Sequence, residues 1–220
     1  MKINGNGLQT ETEKVPINGF TQMEVPLADT AAGLSDHTKI DLITEKFEEI
    51  LRILGLDPED DSLKDTPSRI AKMYINEIFK GLDPKNRPKI TLFKNTYEYH
   101  GPVLEMDIPF TSFCEHHFVP IVGKANLAYI PRDMVIGLSK LHRLVDHHAR
   151  RPQVQERLTF QLGQDLADCL QTKDVGVVLR ASHSCISCRG VEHSGSSTIT
   201  SFFSGRLAQD EGLRSQLFRF

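Results

Sequence analysis

The sequence predicts an α+β domain behind a helical N-terminal arm, and three observations carry that expectation. Apolar residues recur at three- and four-residue steps through the first third of the chain, the period of a helix with one buried face. Beyond Ile90 the texture changes to β-rich segments punctuated by glycine. A second pair of helical stripes then precedes a second group of strands. Two helices, strands, two helices, strands is a segregated order rather than an alternating one.

Residues 1–35 mix Asn, Gly, Thr and Glu without a sustained period and read as a flexible tail. Residues 36–88 read as the helical region. Ile40, Ile43, Phe47, Ile50, Leu51 and Leu54 share one helix face, and Gly55 stands where a C-terminal cap belongs. Thr66-Pro67 opens a second helix as N-cap and first-turn proline, continuing through Ile70, Met73, Tyr74 and Ile78 to a closing Gly81. Residues 89–220 form the remaining region. Residues 118–130 have strand character, and Gly123 within them suggests a turn between two strands. Ser139 is expected to cap a helix reaching about Ala149, which Arg151-Pro152 breaks. Val154, Leu158, Leu162, Leu166 and Leu170 form the stripe of a further long helix. Residues 175–181 and 197–203 read as strands and the last dozen residues as helical.

Composition narrows the function class. With 39% apolar and 25% charged residues in 220, the chain can build a core that needs no disulfides. A net charge of −3 gives no global attraction to nucleic acid or to a membrane surface. No apolar run approaches the length that spans a bilayer. The first residues lack a basic region followed by an apolar run, and Glu11, Glu13 and Glu24 argue against a transit peptide, so the cytoplasm is the expected location. Four cysteines, Cys114, Cys169, Cys185 and Cys188, are too few and too unevenly placed for a disulfide scaffold and point to metal or catalysis. Cys169 falls near an apolar helical stripe and reads as core.

The chemistry concentrates in Cys114-Glu115-His116-His117 and in residues 183–189, His-Ser-Cys-Ile-Ser-Cys-Arg. Thiolate and imidazole are the donors zinc prefers. Cys114 and His117 are three apart, a spacing for two ligands on one turn. His183 and Cys185 are two apart at a strand end, so they are expected to point to the same side. The spacing fits a closed, structural site of Cys114, His117, Cys185 and Cys188, and equally an open site of three ligands. Two features favour the open one: His116 and His183 stand beside the ligands, suited to moving protons near neutral pH, and a structural site has no need of Arg189. In a continuing strand, Cys188 would also point away from the face that Cys185 occupies.

Five strings resemble the GTP cyclohydrolase I family, in order and in mutual distance: Thr-Pro-Ser-Arg-Ile-Ala-Lys-Met at 66–73, Cys-Glu-His-His-Phe at 114–118, Gly-Leu-Ser-Lys at 137–140, Arg-Pro-Gln-Val-Gln-Glu-Arg-Leu at 151–158 and His-Ser-Cys at 183–185. The resemblance runs from about residue 40 to the C-terminus. It implies zinc held by Cys114, His117 and Cys185, with His116 and His183 as proton-transfer residues and Ser139 assisting. It implies that Gln155 and Glu156 read the guanine edge: Glu156 accepts from N1 and the 2-amino group, and Gln155 complements O6. Ser139, Lys140, Arg143 and Arg189 resemble the groups around ribose and triphosphate. Arg69 and Lys72 resemble phosphate contacts supplied by a neighbouring subunit, which suits a tetra-anionic substrate.

The implied fold is a tunnelling fold, an antiparallel sheet with paired helices whose barrel is closed by oligomerisation, ten chains forming a toroid with active sites at subunit interfaces. The implied reaction opens the guanine ring of GTP, releases formate and gives 7,8-dihydroneopterin triphosphate, at the head of folate or tetrahydrobiopterin biosynthesis. The polar N-terminal tail permits a regulatory protein partner. His147-His148 departs from the family's aromatic or apolar residues and is expected at a surface or interface. Two rivals come from other classes: a zinc-stabilised nucleotide-binding module, and a tunnelling-fold enzyme acting on a pterin or deazapurine.

Overall fold

The computed structural model describes residues 24–29 and 33–220, so the tail expected over residues 1–35 lies largely outside the described residues. The first long helix, α1 (Asp36–Ile53), begins where the Ser35 hydroxyl accepts from the Thr38 amide, and Gly55 follows its end in the left-handed conformation that stops a helix. α2 (Thr66–Met73) starts one residue earlier than its proline pattern suggests, with Asp65 as N-cap and no side-chain cap bond. Its chain does not run on to Gly81 as an α-helix. It widens into a π-helical turn, Tyr74–Ile78, and tightens into a 3₁₀ turn, Lys80–Leu82. Such a widened turn re-aims side chains. Here Tyr74 meets Phe47 of α1 at 5.7 Å, Phe79 at 5.3 Å and Phe118 at 6.3 Å, all between ring centroids. This aromatic chain ties the arm to the sheet.

Gly81 has a different job from the cap the sequence suggests. Its amide donates to the Arg150 carbonyl and its carbonyl accepts from Arg151 Nε, both at 2.9 Å. A Cβ there would strike the His147 carbonyl and lie 2.7 Å from that of Arg150. The residue must be bare for the backbones to approach this closely.

The main sheet has the order β5-β2-β3-β6-β7, built from β2 (Val103–Cys114), β3 (Pro120–Tyr129), β5 (Pro152–Gln153), β6 (Val175–His183) and β7 (Thr198–Phe203). All neighbours are antiparallel except β5, which lies parallel to β2 and sets Gln153 opposite Cys114. A small second sheet pairs β1 (Leu92–Lys94) with β4 (Met134–Ile136). Gly123 makes no turn: β3 runs straight through it, paired with Phe110 on one side and Ala181 on the other. A side chain at that position would lie 2.6 Å from the Ala181 Cβ, so the glycine marks a close approach between strands.

One face of the sheet buries Ala125, Leu127, Val177 and Leu179 beneath α3 (Leu138–Ala149) and α4 (Gln155–Leu170). The other face presents Ala128 and Val178 to the C-terminal helices α6 (Gly205–Gln209) and α7 (Glu211–Leu217) through Leu207 and Leu217. The alternation follows from the two-residue period of a strand. The N-cap of α3 is Gly137, not Ser139, which sits inside the first turn and makes no cap bond.

His147 and His148 correct the expectation of surface positions, for both are buried at 5% exposure. Asp165 explains why. Its carboxylate accepts from His148 Nε2 at 2.7 Å and from both terminal nitrogens of Arg87, at 2.5 and 3.0 Å. Burial opposes ionisation of Asp165, but His148 and Arg87 outweigh it and hold the carboxyl below its usual range. His147 accepts from Arg151 at 2.7 Å, and burial together with that cation pushes its pKa down to about 4. Cys169 is buried as expected, its thiol facing Asp165 at 3.5 Å and pushed up to about 12 by burial and that carboxylate.

Candidate metal centre and active site

The candidate metal cluster assembles at one end of the sheet, where β2 and β6 end on either side of β3. β2 ends at Cys114 and the following turn carries Glu115, His116 and His117. β3 leads out of that turn and pairs with β6, so Ile121 lies opposite His183. The chain then leaves the sheet in one helical turn, α5 (Ser184–Ser187), which carries Cys185. The strand therefore does not continue to Cys185, and the sequence argument from strand parity does not apply. A helical turn brings Cys185 back over the β2 end instead.

The Cys114 and Cys185 thiols and one His117 ring nitrogen all lie within 4.8 Å of one another, and Cys114 Sγ is 3.8 Å from His117 Nδ1. A tetrahedral zinc with bonds of roughly 2.1–2.3 Å keeps its ligand atoms roughly 3.6 Å apart, so this donor set fits the ion. Burial, and then Cys114 beside it, push the Cys185 thiol up, an opposition that a divalent cation relieves. His116 Nδ1 is equally near Cys114 Sγ, at 3.8 Å, but His116 is not part of the three-residue group that includes Cys185. Cys188 also stands outside it, exposed, with its thiol donating to the Ser184 carbonyl at 2.8 Å.

A clamp that the sequence reading did not single out holds the metal turn to α4. Arg157, buried, donates to the Glu115 carboxylate and through Nε to Gln153 Oε1 at 3.0 Å. The Gln153 carbonyl accepts from the Glu115 amide at 3.0 Å, and its side chain donates to the His148 carbonyl at 3.1 Å. Glu115 also faces His116 Nε2 at 3.6 Å. Both residues sit inside the recognised strings, but no spacing rule marks an arginine at helical position 157 as buried.

Glu156 is exposed in the first turn of α4, and its carboxylate partly offsets the burial that pushes the His183 pKa down. Gln155 points the other way, into the protein, at 2% exposure. Its amide nitrogen donates to the Leu179 carbonyl (3.2 Å), the Thr198 carbonyl (3.1 Å) and Thr200 Oγ1 (3.0 Å), and its Oε1 meets His183 Nε2 at 2.8 Å. Both side-chain amide hydrogens are committed within the chain, which leaves no side-chain donor for the O6 contact expected of it.

The expected phosphate cations are elsewhere. Ser139 and Arg143 are exposed on α3 and Lys140 is half-buried there. Their neighbour His142 pairs with Glu105 at 3.0 Å, nine residues before Cys114 on β2. At roughly 3.3 Å per residue those nine residues span at most roughly 30 Å, less the bulge between Glu105 and Ile108, so the α3 cations sit toward the opposite end of β2 from Cys114. Arg69 and Lys72 are exposed on α2, Arg69 paired with Asp65 at 3.0 Å. Arg189 is exposed just beyond α5, on the same loop as Cys188.

A family model described as GTP cyclohydrolase I matches residues 43–220. The chain belongs to the GTP cyclohydrolase I family. Its similarity to curated relatives extends nearly end to end. It is 46% identical to GTP cyclohydrolase 1 of Flavobacterium johnsoniae over 87% of this chain and 86% of that protein. It is 47% identical to GTP cyclohydrolase 1 of Salmonella arizonae over 90% and 89%, and 44% identical to that of Buchnera aphidicola over 89% and 90%. Membership makes the protein an enzyme of the GTP cyclohydrolase I type, with an α+β fold, and no helix among the described residues is long and apolar enough to cross a membrane.

Proposed function

We propose that the protein holds one zinc ion through Cys114, His117 and Cys185 and hydrolytically opens the guanine ring of GTP, releasing formate and forming 7,8-dihydroneopterin triphosphate for pterin biosynthesis in the cytoplasm. The convergence of two thiols and one imidazole beside two further histidines carries this reading. When bound, the ion supplies Lewis acidity and an open coordination position for water.

The chain's own residues supply the rest. Glu156, exposed at the start of α4, accepts from N1 and the 2-amino group of guanine. His183, bonded to Gln155 and under the influence of the Glu156 charge, moves a proton to or from the opening ring. His116, exposed and steadied by Glu115, is the second proton carrier, and Ser139 assists at the ribose. Lys140, Arg143, Arg189, Arg69 and Lys72 neutralise the triphosphate.

The placement of the α3 cations beside the Glu105 end of β2, with the ligand cluster at its Cys114 end, supports a site shared between copies. A neighbour then contributes the part of the site that one chain holds at the far end of its strand. Among the described residues the outer edge of β7 carries no strand partner. Such an edge suits the barrel of a tunnelling fold, closed by neighbouring sheets in a decamer.

Incubation of purified protein with GTP, followed by oxidation and fluorescence detection of the pterin and by formate release, tests the reaction. Zinc-loaded protein that leaves GTP intact would reduce the reading to a nucleotide-binding module.

A further inference from the structure

We infer that Gln155 is the residue that orients His183, fixing which ring nitrogen faces the reaction, rather than a reader of the guanine edge. The inference builds on the proposed GTP-opening role of His183.

The hydrogen-bond polarity around Gln155 is determined by groups that cannot reverse. The Leu179 and Thr198 carbonyls only accept. The Gln155 group facing them at 3.2 and 3.1 Å must therefore be the amide nitrogen, because an oxygen there would oppose two oxygens with no hydrogen between. The hydroxyl pair agrees. Thr159 Oγ1 donates to the Gln155 backbone carbonyl at 2.8 Å, so Thr200 donates to Thr159 across 2.6 Å. Thr200 Oγ1 is then left as an acceptor for Gln155 Nε2 at 3.0 Å.

With the nitrogen so placed, Oε1 is the atom that faces His183 at 2.8 Å, and an amide oxygen only accepts. His183 must carry a hydrogen on Nε2. In the neutral ring the lone pair then sits on Nδ1, and in the cation the exchangeable proton is the one on Nδ1. In either state Nδ1 is the atom through which a proton enters and leaves.

The anchor is rigid for a structural reason. Gln155 is the first residue of α4, while its acceptors lie on β6 and β7, so three elements grip one amide at 2% exposure. The next residue, Glu156, turns outward to solvent. Two adjacent residues at one helix start thus divide the work: Glu156 faces substrate, and Gln155 holds the ring beside it. Hydrogen-bonded support of this kind sets the tautomer of a working histidine.

Gln155→Met keeps the length and burial but removes the acceptor and the donors. A positioning role predicts that kcat for GTP falls about 10- to 100-fold, part of the range for one proton-transfer group, with KM within twofold of wild type and zinc stoichiometry retained. It also predicts unchanged discrimination between GTP and the triphosphate of 2-aminopurine riboside, which lacks O6. A tenfold rise in KM with kcat preserved, or loss of that discrimination, would restore the guanine-reading role and overturn the inference. Wild-type protein labelled with ¹⁵N-histidine gives a test independent of the variant's folding. Solid-state NMR, with the His183 signals assigned by their absence in His183→Asn, should show the neutral ring protonated at Nε2; a proton at Nδ1 overturns the inference. If wild-type protein fails to consume GTP, the proposed activity falls while the tautomer measurement still decides the geometry.

Discussion

At the scale of single residues, Cys185 and Cys188 make the sharpest contrast. They are three apart in sequence, yet one faces Cys114 and His117 while the other bonds its own helical turn. Cys188→Ser should therefore retain zinc and most GTP turnover, whereas Cys185→Ser should lose both, since each thiolate supplies a directional bond to the ion. Metal analysis of the two variants reads the outcome directly, and equal zinc loss in both would restore the closed four-ligand site. The strings at 114–118 and 183–185 made the ligand types legible. The reason Cys188 stands apart was not legible, because strand parity was applied to residues that form a helical turn.

At the scale of elements, the junction between the arm and α3 is a close contact that a small change would break. Gly81→Ala would drive a methyl group into the His147 and Arg150 carbonyls and displace both hydrogen bonds that Gly81 makes with residues 150 and 151. A loss of about 1–3 kcal/mol is expected, in the range of overpacked sites, visible as a lower denaturation midpoint. Stability unchanged within error would mean that the arm does not depend on this approach. The same junction carries the pH response. His147 titrates near 6.5 when exposed and is pushed down to about 4 in the fold. Between those values the unfolded chain binds a proton that the folded chain does not, so stability is complete above about pH 6.5 and declines as pH falls toward 4. His148 is lowered too, by burial against the partial pull of Asp165, and acts in the same direction. Urea unfolding at pH 7.5 and pH 5 should show a smaller pH-dependent loss in His147→Gln than in wild type. An identical loss would place the proton uptake elsewhere.

At the scale of the whole molecule, the separation between α3's cations and the candidate metal cluster bears on the proposed sharing of the active site between chains. Arg143→Ala and Cys185→Ala should each be inactive, one lacking a triphosphate contact and the other a zinc ligand. Co-expressed in one cell and purified as mixed oligomers, the pair should regain activity, because some sites draw an intact metal cluster from one chain and an intact arginine from another. Mixed oligomers as inactive as either parent would mean that each chain builds its site alone.

The sequence by itself determined most of the element types, the α+β class and a candidate set of metal donors, because helical periodicity, strand composition and paired thiol and imidazole groups are local signals. It could not show that Gly123 lies within a strand and Gly81 against a helix end. A glycine in sequence marks permissive backbone, and only the neighbouring chain decides whether that permission serves a turn or a close approach. Nor could it show that His147 and His148 are buried or that Gln155 faces inward beside an outward Glu156. The cost of burying a polar side chain depends on the partners that satisfy it, and Asp165, Leu179 and Thr198 come from other elements. Tertiary structure decides such positions because hydrogen bonds between distant segments exist only once the chain has folded.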